Sequence, residues 1–260
     1  MSIITLTTDF GEGSRFVGEM KGVILGINPH VTLIDLTHSI EPQSIFQATF
    51  VLTQSVGAFP PETIHIVVVD PGVGMDRKLL LAEIGDWTFV CPDNGILTLL
   101  LDRYPLKTLC SLDQRRFWRS AISNTFHGRD ILAPVAAHFS LKQFDPAEFG
   151  SRIEECVRIP VPKPTSNDGE LRGQVISIDS FGNLITNIER CQLAERRIDA
   201  VQVRLGFHRI NGLVRTYGER GTRQLVAYFG SSELLEIAVV NDSAQQKLAA
   251  RVGDPVVITL

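Results

Sequence analysis

The chain changes its hydrophobic rhythm once, across the stretch IPVPKPTSNDG at 159–169. Its prolines withdraw backbone donors and fix φ, and Asn, Asp and Gly are turn formers, so the stretch reads as a linker. Before it, β-branched apolar runs alternate with segments of helical spacing. After it, short strands follow one another with almost no helix. The break predicts an α/β domain over 1–160 with a mainly parallel sheet, and a smaller all-β, barrel-like domain over 170–260.

In the first part Ile3–Thr7, Val31–Leu36 and Ile64–Val69 read as strands. The third is apolar but for His65, the mark of a strand covered on both faces. Val17–Ile27 and Ser44–Val56 have helical spacing, and Asn28-Pro29 stops the first. Leu79–Ile84 and Trp87–Cys91 flank Gly85-Asp86 and predict a hairpin. Gly95–Leu101 and Ile131–Phe139 predict two more helices. In the second part strands are expected at Gly173–Asp179, Leu184–Ile188, Ala200–Leu205, Gln224–Phe229, Leu234–Val240 and Pro255–Leu260, with a helix at Ser243–Ala250.

Composition excludes more than it identifies. The 260 residues are 44% hydrophobic and 21% charged, an ordinary profile for a chain with a substantial core. The net charge is −4 and the basic residues are scattered, so no nucleic-acid footprint is present. The densest basic cluster, Arg115, Arg116 and Arg119, reads as a solvated face. The opening MSIITLTTDF lacks the basic start and cleavage site of a signal peptide, and no apolar run approaches the ~18 residues a membrane span needs. A cytoplasmic protein with no membrane partner is expected. Cys91, Cys110, Cys156 and Cys191 make no CxxC pair, so reduced thiols are expected, with neither a disulfide framework nor a zinc site. GxGxxG, P-loop, GxSxG and HExxH patterns are all missing.

The chemistry-bearing residues gather at strand ends. Asp9, in TTDFG, closes the first strand, where α/β sheets collect their ligands. A carboxylate there accepts both hydroxyls of a ribose, or simply caps the next turn. Asp70 closes the Ile64–Val69 strand, and Pro71, Gly72 and Gly74 turn the chain back towards Arg77. The plainer reading is a turn aspartate with a surface arginine. Phe126-His127-Gly128-Arg129-Asp130 precedes an apolar helix, with Asp130 as its N-cap or in its first turn and His127 in the loop before it. Asp93-Asn94-Gly95 reads as a loop closing on a helix, and His38, His65 and His138 read as packing or surface residues. In the second part Asp179 and Asn183 flank a hairpin turn. Asp179 suits an amine and Asn183 a purine edge, although both also favour turns for their own sake. Gly230-Ser231-Ser232-Glu233 is a further turn.

Taken in order, TTDFG, DLTHSI, VVDPGVG, PDNG, FHGRDI and DSFGNLITNI resemble the S-adenosyl-L-methionine hydroxide adenosyltransferase family, relatives of the fluorinases and chlorinases. The resemblance runs over essentially the whole chain. It implies an N-terminal α/β domain and a C-terminal β-barrel, assembled as a homotrimer with active sites between neighbouring subunits. It implies attack of water or hydroxide on C5′ of S-adenosylmethionine (SAM), giving adenosine and L-methionine, with SAM as substrate, no cofactor and no metal. Asp70, Arg77 and His127 match the set that marks the hydroxide branch. Asp9 matches a ribose-binding aspartate, Asp179 the aspartate at the methionine amine, Asn183 the adenine-binding asparagine, and Ser232 falls near the serine at the methionine end. Gly128 and Val73 stand where the fluorinase motif has serine and threonine. The family's Asn-Ser-basic-Gly run is Ser231-Ser232-Glu233-Leu234 here, with Glu233 at the basic position. Three alternatives stay open: a halide-dependent, chlorinase-like adenosyltransferase, a non-catalytic binder of SAM or adenosine, and, third, a metallohydrolase using Asp9, Asp70 and His127.

Overall fold

The computed structural model describes residues 2–167, 169–193 and 201–259. The chain divides into two compact units, Met1–Pro160 and Val161–Leu260.

The first unit opens with β1 (Ile3–Thr8), α1 (Arg15–Ile27), β2 (Thr32–Thr37), α2 (Ile45–Ser55) and β3 (Ile64–Val68). Next come the hairpin β4 (Leu79–Ile84) and β5 (Trp87–Pro92), then α3 (Thr98–Arg103), β6 (Leu106–Leu112), α4 (Ala133–Ser140) and β7 (Gly150–Arg152). The sheet order is β2-β1-β3-β5-β4-β6-β7. Pairings among β2, β1, β3 and β5 are parallel, and the rest are antiparallel. The expected parallel sheet thus occupies one half. The β4–β5 hairpin reverses direction, and β6 and β7 extend the antiparallel half.

Alternation along β3 explains why it is apolar on both faces apart from the buried His65. Ile64, Ile66 and Val68 pack with Val17, Met20 and Ile24 of α1 and with α4. Val67 and Val69 face the other way, with Ala48 and Leu52 of α2 and Leu100 of α3. α1 and α2 therefore cover opposite faces. The chain leaves β1 towards β2 on one side and returns to β3 on the other. The carboxyl ends of β1 and β3 form a topological switch point, where such sheets open a ligand crevice.

In the second unit β8 (Thr165–Asn167), β9 (Glu170–Ile178), β10 (Leu184–Glu189), β11 (Gln202–Leu205), β12 (His208–Asn211), β13 (Leu225–Phe229), β14 (Leu234–Val239) and β15 (Pro255–Thr259) form one antiparallel sheet. Its order is β12-β11-β15-β9-β10-β14-β13, with β8 beside β9. Just after β12, Val214 N–H donates to the carbonyl of Ala227 in β13, drawing the two ends together into a barrel-like sheet. The one described α-helix is α5 (Ala244–Leu248), capped by Ser243. Ala200 and Leu260, the expected ends of two strands, lie outside the described residues, as does Asp168 of the linker.

Candidate active site

β3 delivers Asp70 to the carboxyl edge of the sheet, and a tight turn brings Arg77 back onto it. Val73 N–H donates to the Asp70 carbonyl and Met75 N–H to that of Gly72. A Cβ on Gly72 would lie 3.2 Å from Arg77 Cδ. Gly74 has φ +79°, and a Cβ there would lie 2.3 Å from the carbonyl oxygen of Asn124. Only glycine lets this turn dock against the segment that leads to His127. Asn94 Nδ2 donates at 2.9 Å to the Val69 carbonyl and straps the end of β3 from the β5 side.

Arg77 Nε donates to both oxygens of Asp70, at 2.8 and 3.0 Å, and its Nη2 makes a further, very short contact with Oδ2. The pair is nearly buried, the Asp70 side chain being 6% exposed and that of Arg77 11%. The same Nη2 lies 3.1 Å from His127 Nδ1. Guanidinium only donates, so Nδ1 must present its lone pair. The hydrogen-bond network therefore assigns His127 as a neutral imidazole with its proton on Nε2. Burial first, and then the charge of Arg77, push the His127 pKa below its ordinary value, while Asp70 and Asp130 oppose this.

His127 precedes a π-helical turn, Gly128–Leu132, that runs into α4. Such turns recur at functional sites. Gly128 packs closely, since its Cβ would sit 3.1 Å from Val68 Cγ1 and 3.4 Å from Met20 Sδ. Asp130 sits in the first turn of this segment and does not cap it. It is fully buried, and accepts from Arg129 Nε at 2.7 Å, Arg119 Nη1 at 2.8 Å and Ser123 N–H at 2.8 Å. Burial alone would raise its pKa, but Arg129, the Ser123 amide and Arg119 hold it below the usual carboxylate range. This network fixes the loop that carries His127. Arg119 is thus not merely part of a solvated face.

Asp9 follows β1, and its Oδ2 accepts from the Gln43 amide at 2.9 Å. Its Oδ1 accepts no hydrogen bond from the described residues. In the second unit Asp179 closes its own hairpin loop. Oδ1 accepts from the amides of Phe181 and Asn183, at 2.9 and 2.8 Å, and Oδ2 from Asn183 Nδ2 at 2.8 Å. One N–H of the Asn183 amide is therefore engaged, and its second N–H and its oxygen are left to pair with a ligand. Ser232 lies in the β13–β14 turn, where Glu233 adopts φ +60°. Arg190 holds Glu233 through its backbone amide at 2.8 Å and through its guanidinium. Among the described residues, no group of three or more His, Cys, Asp or Glu is arranged to hold a metal ion, and no helix is long and apolar enough to cross a membrane. The cysteines are free.

Sequence reasoning passed over His38, which is buried and hydrogen-bonded to Thr8 beside Asp9. Its place in the motif DLTHSI was the available signal.

A largely buried Asp70–Arg77 pair bridged to His127 thus stands at the switch point of an α/β sheet, in a chain with a second, all-β unit. Residues 4–150 match the family model described as the SAM hydroxide adenosyltransferase N-terminal domain, and residues 173–257 match that of its C-terminal domain. The chain belongs to the SAM hydroxide adenosyltransferase family. It is 33% identical to a Methanocaldococcus jannaschii protein named (R)-S-adenosyl-L-methionine hydrolase, over 95% of this chain and 92% of that one. It is 34% identical to a protein of the same name from Thermus thermophilus, over 98% and 99% of the two chains. Its fold is similar to the crystal structure of an uncharacterized conserved protein from Thermotoga maritima, with TM-score 0.92 and 35% identity over 100% of both chains.

Proposed function

We propose that this chain hydrolyses SAM to adenosine and L-methionine by attack of water on C5′. One observation carries the reading: Arg77 bridges Asp70 and His127 in a nearly buried cluster at the sheet's switch point. The sulfonium leaves as a neutral thioether, so no general acid is needed. The new O–C5′ bond forms as C5′–S breaks and its electron pair goes to sulfur. What the protein must supply is alignment of the water, within about 3–3.5 Å of the carbon, and stabilisation of hydroxide character on it.

In this reading Arg77 supplies fixed positive charge beside the attacking oxygen. His127 offers Nε2–H, a donor that orients the water. Its remaining lone pair faces Arg77, so the proton released by water goes to Asp70, whose carboxylate has acceptor capacity beyond its bonds to Arg77. Asp9 holds the ribose through Oδ1, Asn183 the adenine through its oxygen and its second N–H, and Asp179 the methionine amine. A left-handed residue such as Glu233 occupies a position that glycine favours. Setting Glu233 against the glycine of the family's Asn-Ser-basic-Gly run moves the serine to Ser231 and the basic position to Ser232. The turn hydroxyls of Ser231 and Ser232 then serve the methionine end.

We extend the proposal to a cytoplasmic homotrimer in which the first unit of one subunit meets the second unit of the next. Each set of proposed site residues carries one exposed apolar side chain, Met75 at 71% in the Asp70–Arg77 turn and Phe181 at 78% in the Asp179–Asn183 loop. Purified protein incubated with SAM, with and without chloride, is expected to yield adenosine and methionine in both cases. Chloride-dependent 5′-chloro-5′-deoxyadenosine would point to the halogenating branch, and bound but unconverted SAM to a binding protein.

A further inference from the structure

The hydroxyl of Thr8, the imidazole of His38 and the carboxylate of Asp35 form a chain beneath Asp9. Thr8 Oγ1 lies 3.0 Å from His38 Nδ1, and His38 Nε2 lies 3.0 Å from Asp35 Oδ1. Lys21 Nζ closes the far end, 2.6 Å from Asp35 Oδ2. Thr8 is fully buried and His38 is 4% exposed. Thr8 is therefore no nucleophile, although the order hydroxyl–imidazole–carboxylate resembles a hydrolytic triad.

The Asp35 carboxylate assigns the directions of these bonds. A carboxylate beside Nε2 favours the proton there, even though that contact lies off the line of a good hydrogen bond. Nδ1 then accepts, and the Thr8 hydroxyl donates to it. The Thr8 oxygen in turn accepts from the Phe10 amide at 3.2 Å. On the other side of the turn, Gly11 N–H donates to the His38 carbonyl at 2.9 Å. His38 thus grips the residue before Asp9 through its side chain and a residue after it through its backbone. Gln43 N–H fixes Asp9 Oδ2, which leaves Oδ1 aimed by the set of the turn.

We propose that His38 is a positioning residue for Asp9, setting the carboxylate through Thr8 so that Oδ1 meets the ribose hydroxyls of the substrate. The proposal rests on the ribose-binding reading of Asp9. It assigns His38 to substrate affinity and leaves the chemical step to the Asp70–Arg77–His127 cluster.

The test is adenosine binding by calorimetry, together with KM and kcat for SAM, in His38→Phe, His38→Asn, Thr8→Val and Asp9→Asn. His38→Phe removes the acceptor. His38→Asn keeps an acceptor near the Nδ1 position, and Thr8→Val cuts the same link from the other end. His38→Phe and Thr8→Val should each weaken adenosine binding and raise KM about 10-fold, with kcat within about 2-fold, and His38→Asn should restore most of the affinity. In an Asp9→Asn background His38→Phe should add less than about 2-fold, since residues acting through one contact are not additive. Full additivity, or a fall in kcat with unchanged KM, would overturn the positioning role. Wild-type affinity in Asp9→Asn alone would overturn the ribose reading, and this proposal with it. If His38→Phe does not fold, Thr8→Val decides the matter by the same criteria.

Discussion

Arg77 Nη2 donates to Nδ1 of His127 at 3.1 Å while the same guanidinium grips Asp70. This single contact fixes the protonation state of the imidazole and links three residues that lie 7 and 50 positions apart in the chain. It also means that the arginine cannot be exchanged for another cation without breaking one side of the bridge.

Arg77→Lys should therefore keep a positive charge and lose the reaction. An ammonium is compact and lacks the planar fork that reaches two partners at once. Turnover should fall roughly 100-fold or more, the scale seen when one charge-stabilising donor is removed. Adenosine affinity by calorimetry should stay near wild type. Near-normal turnover would remove the bridge from the mechanism.

His127 must be neutral to accept from Arg77. Burial and the guanidinium hold its pKa below the ordinary value of about 6.5. The kcat/KM profile should therefore stay flat as pH falls through that ordinary value and decline only in more acid solution. Protonation then places a second cation against Arg77 and removes the acceptor. An inflection at or above about pH 6.5 would contradict this assignment.

Gly74→Ala should damage stability and activity together. The new methyl carbon would meet the Asn124 carbonyl oxygen at 2.3 Å, and φ +79° disfavours any side chain. A loss of about 1–3 kcal/mol in denaturant unfolding is expected. Turnover should fall further than at Gly13, where φ is +72° but a Cβ would meet nothing within 4 Å.

Acid sensitivity of the fold should trace in large part to His65. It is buried against Phe59 and Phe89, its Nδ1 is 2.7 Å from Thr5 Oγ1, and burial pushes its pKa down to about 3. The unfolded chain binds this proton more readily, so stability rises with pH across the window. The contribution is complete above about pH 6.5 and is lost as pH falls towards about 3, up to about 5 kcal/mol over the whole span. A Thr5→Val, His65→Phe double variant removes both partners, and its unfolding free energy should vary less steeply with pH between those limits. A slope equal to that of wild type would assign the acid sensitivity to other groups.

Much of the first sheet was legible because buried parallel strands announce themselves. Apart from His65, Ile64–Val68 is apolar on both faces since α1 and α2 cover both sides. β6 went unread because LKTLCSL is half exposed, and its Lys107 and Thr108 mask the alternation. The approach to α4 misled helix-capping rules. A buried aspartate answered by two arginines looks, in one dimension, like an N-cap, and nothing local signals a π turn. Asp70, Arg77 and His127 were each ordinary turn residues when read singly. Their contact depends on Gly72 and Gly74, whose necessity shows only when Arg77 Cδ and the Asn124 carbonyl are seen beside them. His38 was hidden for the opposite reason, since a buried histidine with satisfied neighbours looks like packing.

The central claim is that water bound by the Asp70–Arg77–His127 cluster attacks C5′ directly. The most direct measurement is turnover of SAM in oxygen-18 water, with mass analysis of both products. The account predicts one labelled oxygen, on the 5′ carbon of adenosine, and unlabelled methionine. Adenosine formed without the label would contradict it.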